Sequence, residues 1–351
     1  KLDLYAPYVA EMARDYALEL FGEKAYTSGY NIVTTVDSRL QAAGQQAVVN
    51  GLMTYSQRHG YRGPEKTLDV NALEPLNTAP PATESPEPLH SVGNVSLLPW
   101  LEELKQIPRY NKYYPAAVIR IDKQSFTAIL SSGDTVTVDW DKGLSKSRKY
   151  VNENFSSPPV KTADKIVKLG DVVRIYQENK APKNKNQEDS KDQEDKVWHF
   201  AQVPHAEGAL TALDPSNGAI RTIVGGFDFN HSSFNRAHQA KRLPGSNFKP
   251  FIYSIGLENQ LTAASIFNDA PIVIEDSSLE NTWRPENSGG KFYGPTRLRK
   301  ALYLSRNLVS IRLLRSIGID TAINGLDRFG IAKDTLARDL SIVLGTHVMT
   351  P

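Results

Sequence analysis

Leu243-Pro244-Gly245-Ser246-Asn247-Phe248-Lys249-Pro250-Phe251 is the stretch on which the reading of this sequence turns. Pro244 and Gly245 stop the preceding chain and an apolar run follows, so a helix is expected from about Ser246 to Asn259. Ser246 falls at its N-terminus, where backbone N–H groups lack intrahelical partners and favour negative charge. Lys249 stands three residues on, which puts its side chain on the same face, with Cβ atoms about 5–6 Å apart. An amine there can take the serine proton if burial or nearby positive charge lowers its pKa. The helix N-terminus then helps hold an oxyanion. Alone, S-x-x-K is weak: average composition yields about one or two matches in a chain of this length. This chain has two. The other, Ser288-Gly289-Gly290-Lys291, carries paired glycines that disfavour a helix and reads as a loop. Taken alone, Ser246 reads more readily as an ordinary helix cap.

The second polar element, Ser305-Arg306-Asn307, begins 59 residues after Ser246. Helix is expected around it, from Pro295 to Gly318, because both flanks are apolar and helix-forming. A hydroxyl and an amide inside such a run need partners. A cleft would supply them, and so would a simple cap between two helices. A second tripeptide of this type, Ser233-Phe234-Asn235, lies only 13 residues before Ser246, so the pattern by itself decides nothing.

Upstream, the texture changes three times. Residues 1–29 read as helical, with Tyr5, Val9, Met12, Tyr16 and Leu20 on one apolar stripe. Tyr30 to Val36 is β-branched and reads as a strand, and Asp37 as the N-cap of a helix ending between Gly51 and Gly60. Residues 64–110 are broken by Pro75, Pro80, Pro81, Pro86, Pro88 and Pro99 and read as loop or linker. From Pro115, short runs near 117–121, 126–130, 135–140, 170–176 and 197–203 read as five strands of a small β-barrel. Between the last two, Glu178 to Lys196 is polar with mixed charge and reads as a solvated, mobile hairpin extension. After Gly208, Ala209–Leu213 and Ala219–Val224 flank Asn217-Gly218 and read as a hairpin.

Composition narrows the function classes. The 351 residues carry 41 Lys plus Arg against 39 Asp plus Glu, a net charge of +2, which gives no basic field for nucleic acid. Cysteine is absent, which removes thiol nucleophiles, disulfides and cysteine-based metal sites. The seven histidines show no paired spacing with acids, so all are read as structural and no metal or cofactor is expected. No apolar run reaches the length of a membrane span and no signal peptide opens the chain. The chain opens on Lys1 and its last residues read as the middle of a domain, so a fragment cut at both ends is expected. Aromatics in the helix after Ser246 (Phe248, Phe251, Tyr253) are expected in the core.

Taken together, Ser246-Asn247-Phe248-Lys249 and Ser305-Arg306-Asn307 resemble the first two motifs of penicillin-binding transpeptidases. Longer segments sharpen this: Val224 to Asn230 with Phe234 to Ala237, Trp283-Arg284-Pro285-Glu286-Asn287, and Tyr293 to Arg299. These are similar to bifunctional class A penicillin-binding proteins, closest to the 1A type of Gram-negative bacteria, and the resemblance covers nearly the whole chain. It implies a mixed α/β (α+β) fold: an incomplete transpeptidase domain of the penicillin-binding-protein and β-lactamase type with an inserted OB-like β-barrel. The implied divisions are a helix-strand-helix linker over 1–65, the OB-like domain over 66–207 and the transpeptidase domain over 208–351.

By the same resemblance, Ser246 is the acylated nucleophile, Lys249 its proton acceptor and Ser305 a relay toward the leaving D-alanine. Asn307 binds the peptide, and Trp283 lines the substrate cleft. The implied partners are peptidoglycan stem peptides, lipid II-derived glycan strands, β-lactams and, through the OB-like domain, cell-wall regulatory proteins. The implied location is the periplasmic face of the inner membrane, with the anchor and a glycosyltransferase domain outside this chain. One departure stands out. The family's third motif, K-T-G, is absent; the nearest match, Lys161-Thr162-Ala163, precedes Ser246 and lacks the glycine. The chain is therefore expected to stop before that strand and to be inactive by itself. The competing readings are a serine β-lactamase or D,D-carboxypeptidase, and a non-catalytic cell-wall interaction module. Nucleic-acid binding by the OB-like region is disfavoured, because Trp140, Tyr150 and Trp198 read mostly as core.

Overall fold

A computed structural model describes residues 4–75, 90–179, 196–274 and 283–351. The chain forms two units, Lys1–Ala237 and His238–Pro351.

The first unit opens with α1 (Pro7–Phe21) and α2 (Lys24–Thr27). The expected stripe on α1 is not the buried one: Tyr5, Tyr16 and Leu20 are exposed, while Tyr8 and Ala17 are buried. Tyr8 is fixed from afar, its hydroxyl donating to Ser232 O at 2.8 Å and its ring meeting Phe229 edge-on. Tyr30 to Val36 forms no strand. Thr35 Oγ1 donates to Ile220 O and Asp37 N–H to Arg221 O, but no ladder follows and Val33 is 93% exposed. Asp37 caps α3 (Ser38–His59) as expected, its carboxylate accepting from Arg39 and Leu40 N–H. The helix ends at Gly60, whose φ of 97° suits glycine.

Seven strands form one antiparallel sheet: β1 (Lys66–Thr67), β2 (His90–Ser91), β3 (Tyr114–Asp122), β4 (Ser125–Leu130), β5 (Thr135–Asp139), β8 (Asp171–Asn179) and β9 (Lys196–Ala201). A separate ribbon, β6 (Tyr150–Asn152) with β7 (Phe155–Ser156), lies between β5 and β8 in the chain. The sheet runs β1-β8-β3-β4-β5, with β2 on β3 and β9 on β8. All five expected strands are present, but among the described residues they do not close into a barrel. Among the described residues β5 and β9 approach within 8 Å without a hydrogen-bonded ladder between them. Most of Glu178 to Lys196 lies outside the described residues.

Alternation gives the sheet two covered faces. Ala116, Val118, Phe126, Ala128, Val138 and Ile175 bury one side with Phe200 and Leu144. Ala117, Ile129 and Val172 bury the other, against Leu68, Trp100 and Leu104. Trp100 and Leu104 come from α4 (Leu98–Lys105), a helix inside the supposed linker. Pro99 does not break it, because proline in the first turn withholds an N–H that has no intrahelical acceptor. Arg174 is wholly buried on β8. It pairs with both Glu65 oxygens (2.5 and 2.7 Å), donates to Pro108 O and lies over the Tyr110 ring.

The hairpin β10 (Leu210–Leu213) and β11 (Ile220–Val224) forms as read, with Asp214 organising its turn through Ser216 N–H and Arg221. Helix α3 packs on β11 through Gln41, which is 1% exposed. Its amide accepts from Thr222 Oγ1 and Ile223 N–H and donates to Ile223 O.

In the second unit, the expected continuous helix from Ser246 begins instead as a 3-10 turn, Gly245–Phe248, and continues as α5 (Lys249–Glu258). The expected helix over 295–318 is divided. Gly294–Arg297 is a strand, β13, paired with β12 (Ile266–Asp269). It is followed by α6 (Leu298–Tyr303), α7 (Asn307–Ile317) and α8 (Ile319–Asp327). The core is formed by Phe248, Ile252 and Ile255 of the first elements with Leu308, Ile311, Leu313 and Leu326. Phe251 and Tyr253 join this core, as read from the sequence.

Candidate active site

Local sequence sets the Ser246 turn. Gly245 has φ 57°, a left-handed conformation that glycine takes without strain. The turn that follows is 3-10, with Lys249 N–H bonded to Ser246 O. In that geometry side chains three apart eclipse, so Lys249 stands over Ser246 more directly than in an α-helix. A later segment backs the turn. Gly245 N–H donates to Gly345 O at 3.3 Å, and Arg242 and Met349 exchange backbone bonds of 2.9 and 3.0 Å. Gly345 has φ 67°, and a Cβ on it would collide with Gly245 O. His347, buried in the same segment, meets Phe248 edge-on at 4.4 Å.

Ser246 is exposed, whereas Lys249 is 1% exposed. The Lys249 ammonium donates to Asn307 Oδ1 at 2.7 Å, to Ser305 O at 2.8 Å and to Ser305 Oγ at 3.0 Å. All three acceptors are formally neutral. Burial therefore dominates, and it pushes the Lys249 pKa down to about 8. Ser305 is exposed and sits between α6 and α7 with φ 55°, an uncommon backbone for serine. That turn delivers both its carbonyl and its hydroxyl to one amine.

Thus Lys249, Ser305 and Asn307 are brought together, and Ser246 shares the Lys249 turn while the amine itself is turned to Ser305 and Asn307. The Trp283 backbone pairs with Ile274, and its ring packs, partly buried, on the core of the second unit that also holds Phe248. Ser288 to Lys291 is a turn, and Lys161-Thr162-Ala163 lies in the first unit, as does Ser233-Phe234-Asn235.

Two residues escaped the sequence reading as actors. Asn287 is 5% exposed, and its Oδ1 accepts from Asn307 N–H at 2.9 Å. Asp269 is fully buried and accepts from Asn287 Nδ2 at 2.8 Å. Beside them, Glu286 O receives Asn307 Nδ2 at 2.8 Å, which turns the amide oxygen toward Lys249. The only available signal was an asparagine inside Trp283-Arg284-Pro285-Glu286-Asn287, which says nothing about its partner.

Residues 61–206 match the penicillin-binding protein OB-like domain, and residues 208–341 the penicillin binding protein transpeptidase domain. Penicillin-binding protein 1A of Pseudomonas aeruginosa is 42% identical over 349 residues, 99% of this chain and 38% of the relative. That of Vibrio cholerae is 39% identical over 353 residues, 100% of this chain and 39% of the relative. The crystal structure of penicillin-binding protein 1A from Haemophilus influenzae superposes with a TM-score of 0.77 at 34% identity. It covers 100% of this chain and 45% of that one. The chain thus spans about two fifths of the length of the curated relatives it matches. With the two domains matched in tandem and likeness along its whole length, the chain belongs to the penicillin-binding proteins of the 1A type.

Proposed function

We propose that the second unit carries the acylation centre of a serine D,D-transpeptidase acting on peptidoglycan stem peptides. The observation that carries this reading is the convergence of three motif residues at one buried amine, Lys249 on Ser305 and Asn307. A lysine with its pKa near 8 is neutral in about a tenth of molecules at pH 7, enough to serve as a base.

In this reading, Ser246 Oγ attacks the carbonyl carbon of the penultimate D-alanine while Lys249 takes the hydroxyl proton. Collapse of the oxyanion breaks the C–N bond. The terminal D-alanine leaves with a proton relayed through Ser305, and an ester on Ser246 remains. The amine of a neighbouring stem peptide attacks that ester, its proton returns by the same route, and a new amide and free Ser246 result. A β-lactam enters the first step through its ring C–N bond, and its tethered leaving group remains in the site. Asn307 holds the peptide backbone and Trp283 lines the cleft. Because the substrate is extracytoplasmic, the site works on the periplasmic face of the inner membrane. Lipid II-derived strands supply the stem peptides.

The OB-like body is the surface we assign to cell-wall regulatory proteins. The exposed Val151 and Phe155 of the β6–β7 ribbon support this. Val151→Asp is expected to weaken such binding and leave Ser246 acylation intact.

The central test is intact-mass spectrometry of the full-length protein after incubation with a penicillin. An adduct at Ser246, absent from Ser246→Ala, is expected. No adduct on folded protein would remove the reading. Release of D-alanine without cross-linked product would favour a hydrolase.

A further inference from the structure

The first turn of any α-helix leaves N–H groups without intrahelical acceptors. In α7 these belong to the residues of the site, since Asn307 is its first member. No side chain of the adjoining residues caps it. The acceptor comes from 20 residues upstream. Asn287 Oδ1 receives Asn307 N–H at 2.9 Å and Leu308 N–H at 3.5 Å. The other end of the same amide is equally used: Nδ2 donates to Asp269 Oδ1 at 2.8 Å and to Lys291 O at 2.9 Å. Both donors and both acceptor positions of a buried asparagine are therefore engaged, which leaves its amide one orientation.

Asp269 is itself anchored. It ends β12, is fully buried, and its second oxygen lies 3.8 Å from Arg306 Nε, with the Arg306 guanidinium stacked 3.6 Å over Tyr293. The chain of contacts thus runs from Asp269 through Asn287 to the backbone of Asn307, whose Oδ1 receives Lys249. Glu286, next in sequence, holds the Asn307 side chain through its carbonyl. Residues 286 and 287 together fix both the backbone and the side chain of one site residue.

We propose that Asn287 is a positioning residue: by clamping the first turn of α7 it sets the Asn307 oxygen that holds Lys249 in its dry position. This rests on reading Ser246 and Lys249 as the acylation pair. Nothing charged substitutes for the clamp at the amine. Arg306 is turned to Tyr293 and Asp269, Arg312 donates to Ala270 O and Pro271 O, and Asp320 of α8 pairs with Arg338. Glu286 and Lys291, which touch the clamp through their carbonyls, Tyr293 under Arg306, Arg299 and Lys300 of α6, and Tyr253 of α5, bonded to Ser310, are likewise not bonded to the Lys249 amine, whose acceptors are Ser305 and Asn307. Loosening the clamp would let water reach Lys249, and its protonation would return toward that of an ordinary lysine.

The experiment compares full-length wild type with Asn287→Ala and Asn287→Ser. The readout is the second-order rate of Ser246 acylation by benzylpenicillin, per acylable site, from about pH 6 to about pH 10. The expected result is at least a roughly tenfold slower reaction near neutrality, with the midpoint of the rate–pH curve moved alkaline by about one unit. An unchanged midpoint and per-site rate in either folded variant would overturn the proposal. So would loss of the thermal unfolding transition in both variants, which would assign Asn287 to the fold alone. No acylation of Ser246 in wild type would instead remove the underlying reading, which separates the two failures.

Discussion

Asn307 Oδ1 lies 2.7 Å from the Nζ of Lys249, a lysine with 1% of its surface exposed and no carboxylate bonded to it. A buried amine satisfied only by neutral oxygens is costly to keep charged, and this sets its chemistry.

The rate of Ser246 acylation is therefore expected to rise with pH through about 8 and then level off. Lys249→Ala should lower it by about 10²–10⁴-fold. Lys249→Arg should fare no better, since guanidinium is not deprotonated in proteins. Stopped-flow acylation across pH tests all three.

The same shift makes a stability statement. The folded pKa of Lys249 lies below its ordinary value of 10.5, so between about 8 and 10.5 the unfolded chain binds more protons. Wild type should gain stability as pH rises through that window, and the cost of charging the buried amine should be fully present below it. Relative to Lys249→Met, the gain is expected to be a few kcal/mol on the order-of-magnitude scale of pKa linkage. Denaturant melts of both proteins near pH 7 and pH 11 measure it.

Gly345→Ala should destabilise the second unit and slow acylation together. Its φ of 67° costs a residue with a Cβ about 1–2 kcal/mol, and the added methyl meets Gly245 O at the base of the Ser246 turn. Thermal melts with per-site acylation rates check the pair. A melting shift with an unchanged rate would uncouple Gly345 from the turn.

Arg174→Ala should destabilise the first unit by about 1.5–3 kcal/mol, the scale of hydrogen bonds to charged groups. It strips Glu65 of a bidentate partner, takes the donor from Pro108 O and empties the space that the buried guanidinium fills. Chemical denaturation measures the loss. Acylation per folded molecule should not change, because none of these groups touches Lys249 or Ser305.

Gln41→Leu keeps the bulk of the side chain and removes its bonds. Ile223 N–H and O, both held by one buried amide, then lose their partner, which should cost about 1–3 kcal/mol for each group left unsatisfied. Slowed hydrogen exchange at Ile223 in wild type, lost in the variant, would report it.

Much of this site was legible from the chain. Ser246 and Lys249 were legible as neighbours because local backbone rules fix what lies three residues away, whereas the choice of Ser305-Arg306-Asn307 over Ser233-Phe234-Asn235 rested on the family resemblance, and the helix expected around it proved to be divided. Asn287 and Asp269 were not legible, because their partners are chosen by tertiary packing across 18 and 20 residues. The failed strand at Tyr30 to Val36 has a similar cause. Its β-branched residues suit a sheet, but beside β11 it is held by two side-chain bonds at Thr35 and a backbone bond at the adjoining Asp37, and its Val33 meets no core. Pro99 misled in the opposite direction: a residue that breaks helices in their interior begins one here. The barrel reading erred on closure, which depends on how sheet ends meet and leaves no mark in strand composition.

The backing of the Ser246 turn by Gly345 and Met349 has a consequence in time. A polypeptide is made from its N-terminus, so Ser246 appears 99 residues before Gly345 exists. Until that later segment arrives, the turn lacks the backbone partners that shape it, whatever the state of α5. Ser246 is thus set last, and a nascent chain carries this serine with its lysine but no finished turn to present it.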